Sequence, residues 1–469
     1  MEPLSLTAAD VAAAAGGRVI KGDPVSLIGR FAIDSRRVDA GDFFVAIQGE
    51  RFDGHVFVGD ALAKGATGVL VHAEMPPAAG DDSAAIVTIQ VADTTRALQD
   101  VAREVRRRSG AKVVAITGSA GKTTTKEVVA DFLETRHHVF RNRGNLNNHI
   151  GLPLSLIELR SKPEIAVVEL GMNHPGEIRT LVGIAEPEVR VWTNVGDAHL
   201  GFFESPDAIA AAKAEILEQA RATDVLVANA NDTRVIARAE RFTGRVVTFG
   251  IDTAADVAAS QVEHRGLAGT AARLQVGEES FALQTPLLGL GNLSNVLAAT
   301  AVAIQFDVPV SEIVERAAKL RPATHRGELL RLPGGITLID DSYNSSPSAL
   351  RQTLATLAVA QGCARRVAVL GEMLELGEHA DRLHRESGRA AAEANLDVLI
   401  TVGGAPAGAM AAAAIAAGMA TAKVTHVPNR EAAVELALRW IRPGDLVLVK
   451  GSRGIGTDLV VDRLKAEFA

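Results

Sequence analysis

Gly118-Ser119-Ala120-Gly121-Lys122-Thr123-Thr124 sets glycines, a lysine and hydroxyls at the close spacing that can cradle phosphate. Glycines let backbone N–H groups turn inward around phosphate oxygens, and a helix N-terminus adds partial positive charge. Lys122 would neutralise the β and γ phosphates of a nucleotide, and Thr123 would offer its hydroxyl to Mg²⁺. The general G-x-x-x-x-G-K-[ST] pattern puts its first glycine at position 116, where this chain has Ile116, so the loop is the shorter G-x-x-G-K-T form. The alternative, a glycine-rich turn with a solvated lysine, leaves the threonine run unexplained.

A phosphate loop needs a strand before it and a helix after it. Val113-Val114-Ala115-Ile116 supplies the strand, and Val128, Val129, Phe132 and Leu133 share one face of a helix that follows. From about residue 109 to 322, apolar strands alternate with helices. Ile165–Glu169 and Val189–Val195 are continuous apolar runs, as strands buried on both faces are. Beyond Arg321-Pro322 the alternation resumes, with strands at Ile336–Ile339, Val367–Leu370, Val398–Val402 and Leu446–Val449. The pattern predicts two parallel, doubly wound sheets in succession. Ahead of them lies a compact α/β unit, in which Ala32–Arg36 and Gly41–Ile47 read as a turn feeding a strand. The expected domains are therefore 1–108, 109–322 and 323–469.

Open α/β sheets bind ligands beyond the carboxyl ends of their strands. Glu169 closes one strand and is followed by Asn173 and His174; Asn194, Asp197 and His199 follow another. Glu169 and His199 could join Thr123 around Mg²⁺, because a hard cation takes few protein ligands and keeps phosphate and water for the rest. The alternative is a helix-capping Asp197 and a hydrogen-bonded His199. Lys213 is the sharper anomaly. Ser205 caps a helix whose first position is Pro206, and Ile209, Ala212, Ile216, Leu217 and Ala220 form its apolar stripe. Lys213 falls in the middle of that stripe, where a lysine must snorkel, pair or be chemically altered. In the last domain, Asp340-Asp341-Ser342-Tyr343-Asn344 follows a strand and holds the chain's only tyrosine. Arg326, ahead of that strand, is a candidate phosphate clamp, and Lys450-Gly451-Ser452-Arg453 ends another strand.

Composition narrows the function classes. With 469 residues, 47% apolar and 22% charged, the chain is an ordinary globular protein with room for several cores. A net charge of -7 implies no broad basic surface for nucleic acid. Arg103, Arg106, Arg107 and Arg108 read as a solvated helix end. Cys363 is the only cysteine, which excludes an internal disulfide and a cysteine zinc site. Thr7-Ala8-Ala9-Asp10 reads as a helix cap and not as part of a signal peptide. The alanine-rich stretch near 405–422 is too weakly hydrophobic and glycine-broken to span a membrane. A cytoplasmic monomer with no membrane insertion is expected.

Taken in order, Gly118–Thr124, Glu169-Leu170-Gly171, Gly291-Asn292-Leu293-Ser294-Asn295 and Asp341-Ser342-Tyr343-Asn344-Ser345-Ser346-Pro347 resemble the Mur ligases. Ile33–Arg36, Gly49–His55, Val369–Gly377 and Lys450–Ser452 resemble the branch that adds D-alanyl-D-alanine, and the likeness covers essentially the whole chain. The resemblance implies an N-terminal domain for a UDP-N-acetylmuramoyl-tripeptide, a central ATPase domain and a Rossmann-like C-terminal domain. It further implies an ATP-dependent amide ligase working through an acyl phosphate in peptidoglycan precursor synthesis. Gly118, Ser119, Ala120, Gly121, Lys122, Thr123 and Thr124 would hold the ATP phosphates. Asn292 and Asn295 match adenine-side positions, and Arg326, Asp341 and Asn344 match nucleotide contacts. Thr123, Glu169, His199 and a carbamylated Lys213 would serve Mg²⁺, with Lys122, Lys213, His199 and Arg326 as the catalytic set. Asp34, Ser35, Arg36, Asn173, His174, Lys450 and Ser452 would face the substrates. Two positions depart from the family pattern: Ser346 stands where members commonly have asparagine, and Glu372 where they have aspartate. The Asp34-Ser35-Arg36 stretch and the segment around Glu372 argue against a folylpolyglutamate synthase or a diaminopimelate-adding ligase. A P-loop switch would not need the nucleotide-facing segments beyond residue 290.

Overall fold

The computed structural model describes residues 2–49, 52–72, 86–142, 144–197 and 200–468. It divides into two compact units, Met1–Ala115 with His137–Met172 and Gly176–Glu188, and Ile116–Arg136 with Asn173–Pro175 and Val189–Ala469. The strand Lys112–Thr117, which leads into the glycine loop, passes from the first unit into the second.

In the first unit, a five-stranded sheet runs in the order Arg18–Lys21, Val87–Val91, Gly68–His72, Phe43–Val45, Phe31–Ala32. Its first pair is antiparallel and the other three are parallel. Phe44, Ala46, Val58, Ala61, Val69 and Val71 pack as its core. Helix Ala8–Ala14 starts at the expected cap, with Thr7 and Asp10 forming a reciprocal capping box. Helix Thr94–Ser109 is capped by Asp93 and stopped by Gly110 in the left-handed region.

The basic run at its end differs from expectation. Arg106 is buried, and its guanidinium donates to Ala185 O, Glu186 O and Glu188 Oε1, each at 2.7 Å. Arg107 pairs with Glu186. Arg106 holds the carbonyls at the end of helix Glu177–Ala185, where orphan backbone acceptors and the helix dipole favour a cation. Charge-run reasoning could not see that partner, some 80 residues away in sequence.

In the second unit, Val189–Trp192, Val225–Asn229, Arg245–Ile251 and Val257–His264 pair in parallel. Thr270–Val276 and Glu279–Thr285 then add an antiparallel extension, where a purely parallel sheet was expected. A two-residue turn at Gly277-Glu278, with Gly277 at φ 57°, turns the chain straight back. The last strand has a half-solvated face, as an antiparallel edge allows.

The C-terminal sheet runs Glu328–Leu332, Ile336–Asp341, Asp445–Lys450, Arg365–Gly371, Val398–Val402, Val424–Val427. Only the first pair is antiparallel. All four expected strands are present, and Leu338, Val367, Val369, Ile400, Val447 and Val449 fill its core. Because Asp445–Lys450 lies between Ile336–Asp341 and Arg365–Gly371, three carboxyl ends meet at one edge and present Asp341, Glu372 and Lys450 together.

Candidate active site

The glycine loop is built as the spacing required. Thr117 ends a strand that is buried beyond its first residue, and helix Lys122–Leu133 begins directly after Gly121. Val128, Val129, Phe132 and Leu133 are all buried, the face predicted for them. Gly121 sits at φ 85°, and a Cβ there would overlap Asn295 Oδ1; at Gly118 it would overlap Thr193 Oγ1. Both glycines are therefore demanded by close approach. Lys122 Nζ donates to Gly118 O at 2.8 Å, so the lysine curls over its own loop. Thr123 lies in the first turn of the helix, with Thr124 beside it.

Asn295 is nearly buried; Thr125 Oγ1 donates to its Oδ1 at 3.2 Å, and its Nδ2 donates to Asn292 Oδ1 at 3.3 Å. The two expected adenine-side asparagines thus stand together, with Asn295 against the first turn of the loop's helix. Asn194 and Thr193 were passed over as binding residues. Their positions at a strand end were the only sequence signal, and the structure sets both against the loop.

Lys213 ends helix Pro206–Lys213, whose cap is Ser205 with Pro206 in the first turn, as expected. The chain tightens to a 3-10 turn at Ala214–Leu217 instead of continuing as α-helix, so Leu217 and Ala220 are only half-buried. Lys213 itself is 1% exposed among Ile209, Ala212 and Ile216. Burial drives its ammonium well below the usual lysine range, and the charge of Lys122 adds to the effect. Among the described residues no carboxylate pairs with it. His199 lies outside the described residues.

At the C-terminal edge, Lys450 Nζ donates to Asp341 Oδ2 at 2.7 Å and to Asn344 O at 3.0 Å. Ser452 Oγ accepts from Leu374 N at 2.9 Å, and Glu372 Oε2 accepts from Gly404 N at 2.6 Å. Glu372 therefore caps helix Ala405–Ala416, a task that aspartate or glutamate can fill. Arg326 lies over the Tyr343 ring, 4.1 Å from its centroid. The side chain of Asn344 is exposed. His174 packs edge-on against Phe202 at 5.2 Å, placing it and Asn173 in the second unit.

Glu169 belongs to the first unit. It is buried, and its Oε1 accepts from Asn147 Nδ2. Asn147 O also accepts from Gly171 N, which fixes the Glu169-Leu170-Gly171 turn. Asp34 caps a short 3-10 turn at Ser35–Arg37, and its bonds with Arg36 hold its carboxyl down to about 2. Ser35 is buried, and its carbonyl accepts from Lys64.

One further cluster could hold a metal among the described residues: Asp53, His55 and His72. His55 already uses both ring nitrogens, with Nδ1 against Asp53 Oδ1 at 2.6 Å and Nε2 accepting from His72 N at 3.1 Å. That arrangement satisfies a neutral imidazole and leaves it no lone pair for an ion.

Three family models match the chain in succession: the Mur ligase family catalytic domain over residues 28–106, the Mur ligase middle domain over 116–303, and the Mur ligase glutamate ligase domain over 325–453. The chain belongs to the Mur ligase family. A Mur ligase of Bacillus subtilis, UDP-N-acetylmuramoyl-tripeptide–D-alanyl-D-alanine ligase, is 32% identical over 92% of both chains. The crystal structure of MurF from Acinetobacter baumannii is 32% identical, with a TM-score of 0.88, over 99% of this chain and 100% of that one. MurF ligase from Thermotoga maritima, solved in complex with ADP, is 29% identical with a TM-score of 0.80, over 94% of this chain and 97% of that one. The Mur ligase resemblance of the sequence motifs is borne out, and with it the three-part α/β architecture.

Proposed function

We infer that this chain is an ATP-dependent ligase that joins D-alanyl-D-alanine to UDP-N-acetylmuramoyl-tripeptide in peptidoglycan precursor synthesis. The observation that carries the reading is the match of full length to ligases of that name, on a chain whose phosphate loop is fully formed. A carboxylate is a poor electrophile, so ATP first converts the tripeptide's terminal carboxylate to an acyl phosphate. The dipeptide's amine then attacks the acyl carbon, and phosphate leaves. Lys122, which donates to Gly118 O, is proposed to swing onto the phosphates, and Arg326 to stabilise charge on the transferring phosphoryl group.

Thr123, Glu169 and Lys213 are the proposed magnesium ligands. Thr123 offers a hydroxyl, and Glu169 is a buried carboxylate beside an amide donor. Lys213 becomes an oxygen ligand if carbamylated. Its depressed pKa favours the neutral amine, the form whose nitrogen bonds to the carbon of CO₂ with loss of one proton to solvent. When bound, the ion would screen the negative charge of the phosphates. Asp34, Ser35, Arg36, Asn173, His174, Lys450 and Ser452 are the proposed substrate contacts. Domains at 1–108, 109–322 and 323–469, a monomeric state and a cytoplasmic location complete the proposal. No helix of the described residues is long and apolar enough to cross a membrane.

Phosphate release tests the reading. It is expected only when UDP-tripeptide, D-alanyl-D-alanine and ATP are all present; release with ATP alone, unchanged by either substrate, would overturn it. Offering diaminopimelate- and lysine-containing UDP-tripeptides in competition would identify the third residue of the peptide.

A further inference from the structure

The phosphate loop is held in shape from a neighbouring strand end. Asn194 follows strand Val189–Trp192, and its carboxamide meets Ala120 twice. Oδ1 accepts from Ala120 N at 2.9 Å, and Nδ2 donates to Ala120 O at 3.1 Å. Its backbone carbonyl also accepts from Ser119 N at 3.0 Å. Serving the N–H and the C=O of one residue requires a donor and an acceptor in one planar group, which among side chains of this length only asparagine has. The same requirement fixes which way its amide faces. Thr193 adds a hydroxyl bond to Ala120 O at 2.8 Å.

The clasp is itself anchored. Asn229 Nδ2 donates to Thr193 O at 2.7 Å, and Asp232 Oδ2 accepts from Val195 N at 2.7 Å. The other oxygen of Asp232 caps helix Thr233–Ala239. Three strand ends are thus tied in series, from Asn229 and Asp232 through Thr193 and Asn194 to Ser119 and Ala120.

We propose that Asn194 is a positioning residue for ATP: it clasps the Ala120 peptide groups and fixes the curve of the phosphate loop. The amides of Ser119 and Ala120 then serve the shape of the loop, and phosphate is met by Lys122 and the first turn of the helix. A preformed loop spares the ordering cost at the moment of binding, so losing the clasp raises KM for ATP and lowers kcat.

This rests on the ATP site described above, and the test separates the two. Initial rates of phosphate release are measured against ATP for Asn194→Ala, Thr193→Val, Thr193→Ser and Lys122→Ala, with UDP-tripeptide affinity measured directly. Asn194→Ala is expected to lose roughly 10–100-fold in kcat/KM for ATP, the scale of two lost hydrogen bonds. UDP-tripeptide affinity should stay within about twofold. Thr193→Val, nearly isosteric, should show a smaller loss in the same parameter, and Thr193→Ser should recover it; this pair decides the matter if Asn194→Ala does not fold. Lys122→Ala should lose about 10³-fold or more. ATP kinetics unchanged in Asn194→Ala and Thr193→Val while Lys122→Ala is dead would overturn the clasp and leave the site standing. Unchanged kinetics in all of them would overturn the site itself.

Discussion

Lys213 and Lys450 are equally hidden, at 1% and 4% exposure, yet they stand in opposite electrostatic settings. Lys450 meets Asp341 at 2.7 Å and a backbone carbonyl at 3.0 Å, so its charge is neutralised where it lies. Lys213 is buried with no carboxylate partner among the described residues, and the nearby charge of Lys122 has the same sign. A buried ammonium without a partner is costly enough that the group gives up its proton instead. One lysine is therefore complete as a strut between two strand ends. The other is left as a buried amine whose pKa is driven down, close enough to Lys122 to feel its charge.

The contrast predicts different losses on substitution. Lys213→Ala should be nearly inactive yet folded, with activity partly restored by short carboxylic acids that supply an oxygen ligand. Full activity in that variant would remove any role for a carbamate. Arg326→Ala should lose roughly 10–100-fold in kcat/KM for ATP with UDP-tripeptide binding unchanged, as its proposed role at the phosphates requires. Loss of tripeptide affinity with normal ATP kinetics would reverse that assignment. Lys450→Ala should lose stability, by about 2–4 kcal/mol in denaturant unfolding, because Asp341 loses its ion-pair partner and Asn344 O its donor. An unchanged unfolding midpoint would mean that the contact with Asp341 adds nothing to stability.

The smallest effect is on pH dependence. In the unfolded chain Lys213 keeps its proton up to about pH 10.4, whereas the folded protein releases it far lower. Between those values the unfolded state binds more protons, so the stability of the carbamate-free protein rises with pH. Lys213→Met in CO₂-free buffer should be more stable than wild type at neutral pH, and the gap should narrow as pH rises. A gap that does not change with pH would mean that the lysine is not depressed.

Local rules were legible where the signal lies within a few residues. The Thr7 capping box, the Ser205-Pro206 helix start, the buried face behind Lys122 and the burial of Lys213 follow from spacing alone. The family likeness was readable because glycine and asparagine motifs recur in order. What stayed hidden depended on distant partners. Nothing near Arg106 names the helix end it binds, and nothing near Asn194 names Ala120 as its target. Nothing near Lys450 names Asp341, 109 positions earlier, which becomes its neighbour only when the two strands pair. The antiparallel extension turned on one glycine, Gly277, inside a polar stretch that carried no strand alternation strong enough to read.

The most direct test of the contrast is carbon-13 NMR of the active, magnesium-bound enzyme in carbon-13 bicarbonate, run beside Lys213→Ala and Lys450→Ala. A carbamate carbonyl resonance is expected in wild type and in Lys450→Ala and should vanish in Lys213→Ala. A fully active wild-type enzyme with no such resonance, or a resonance that survives in Lys213→Ala, would contradict the assignment of Lys213 as the modified lysine.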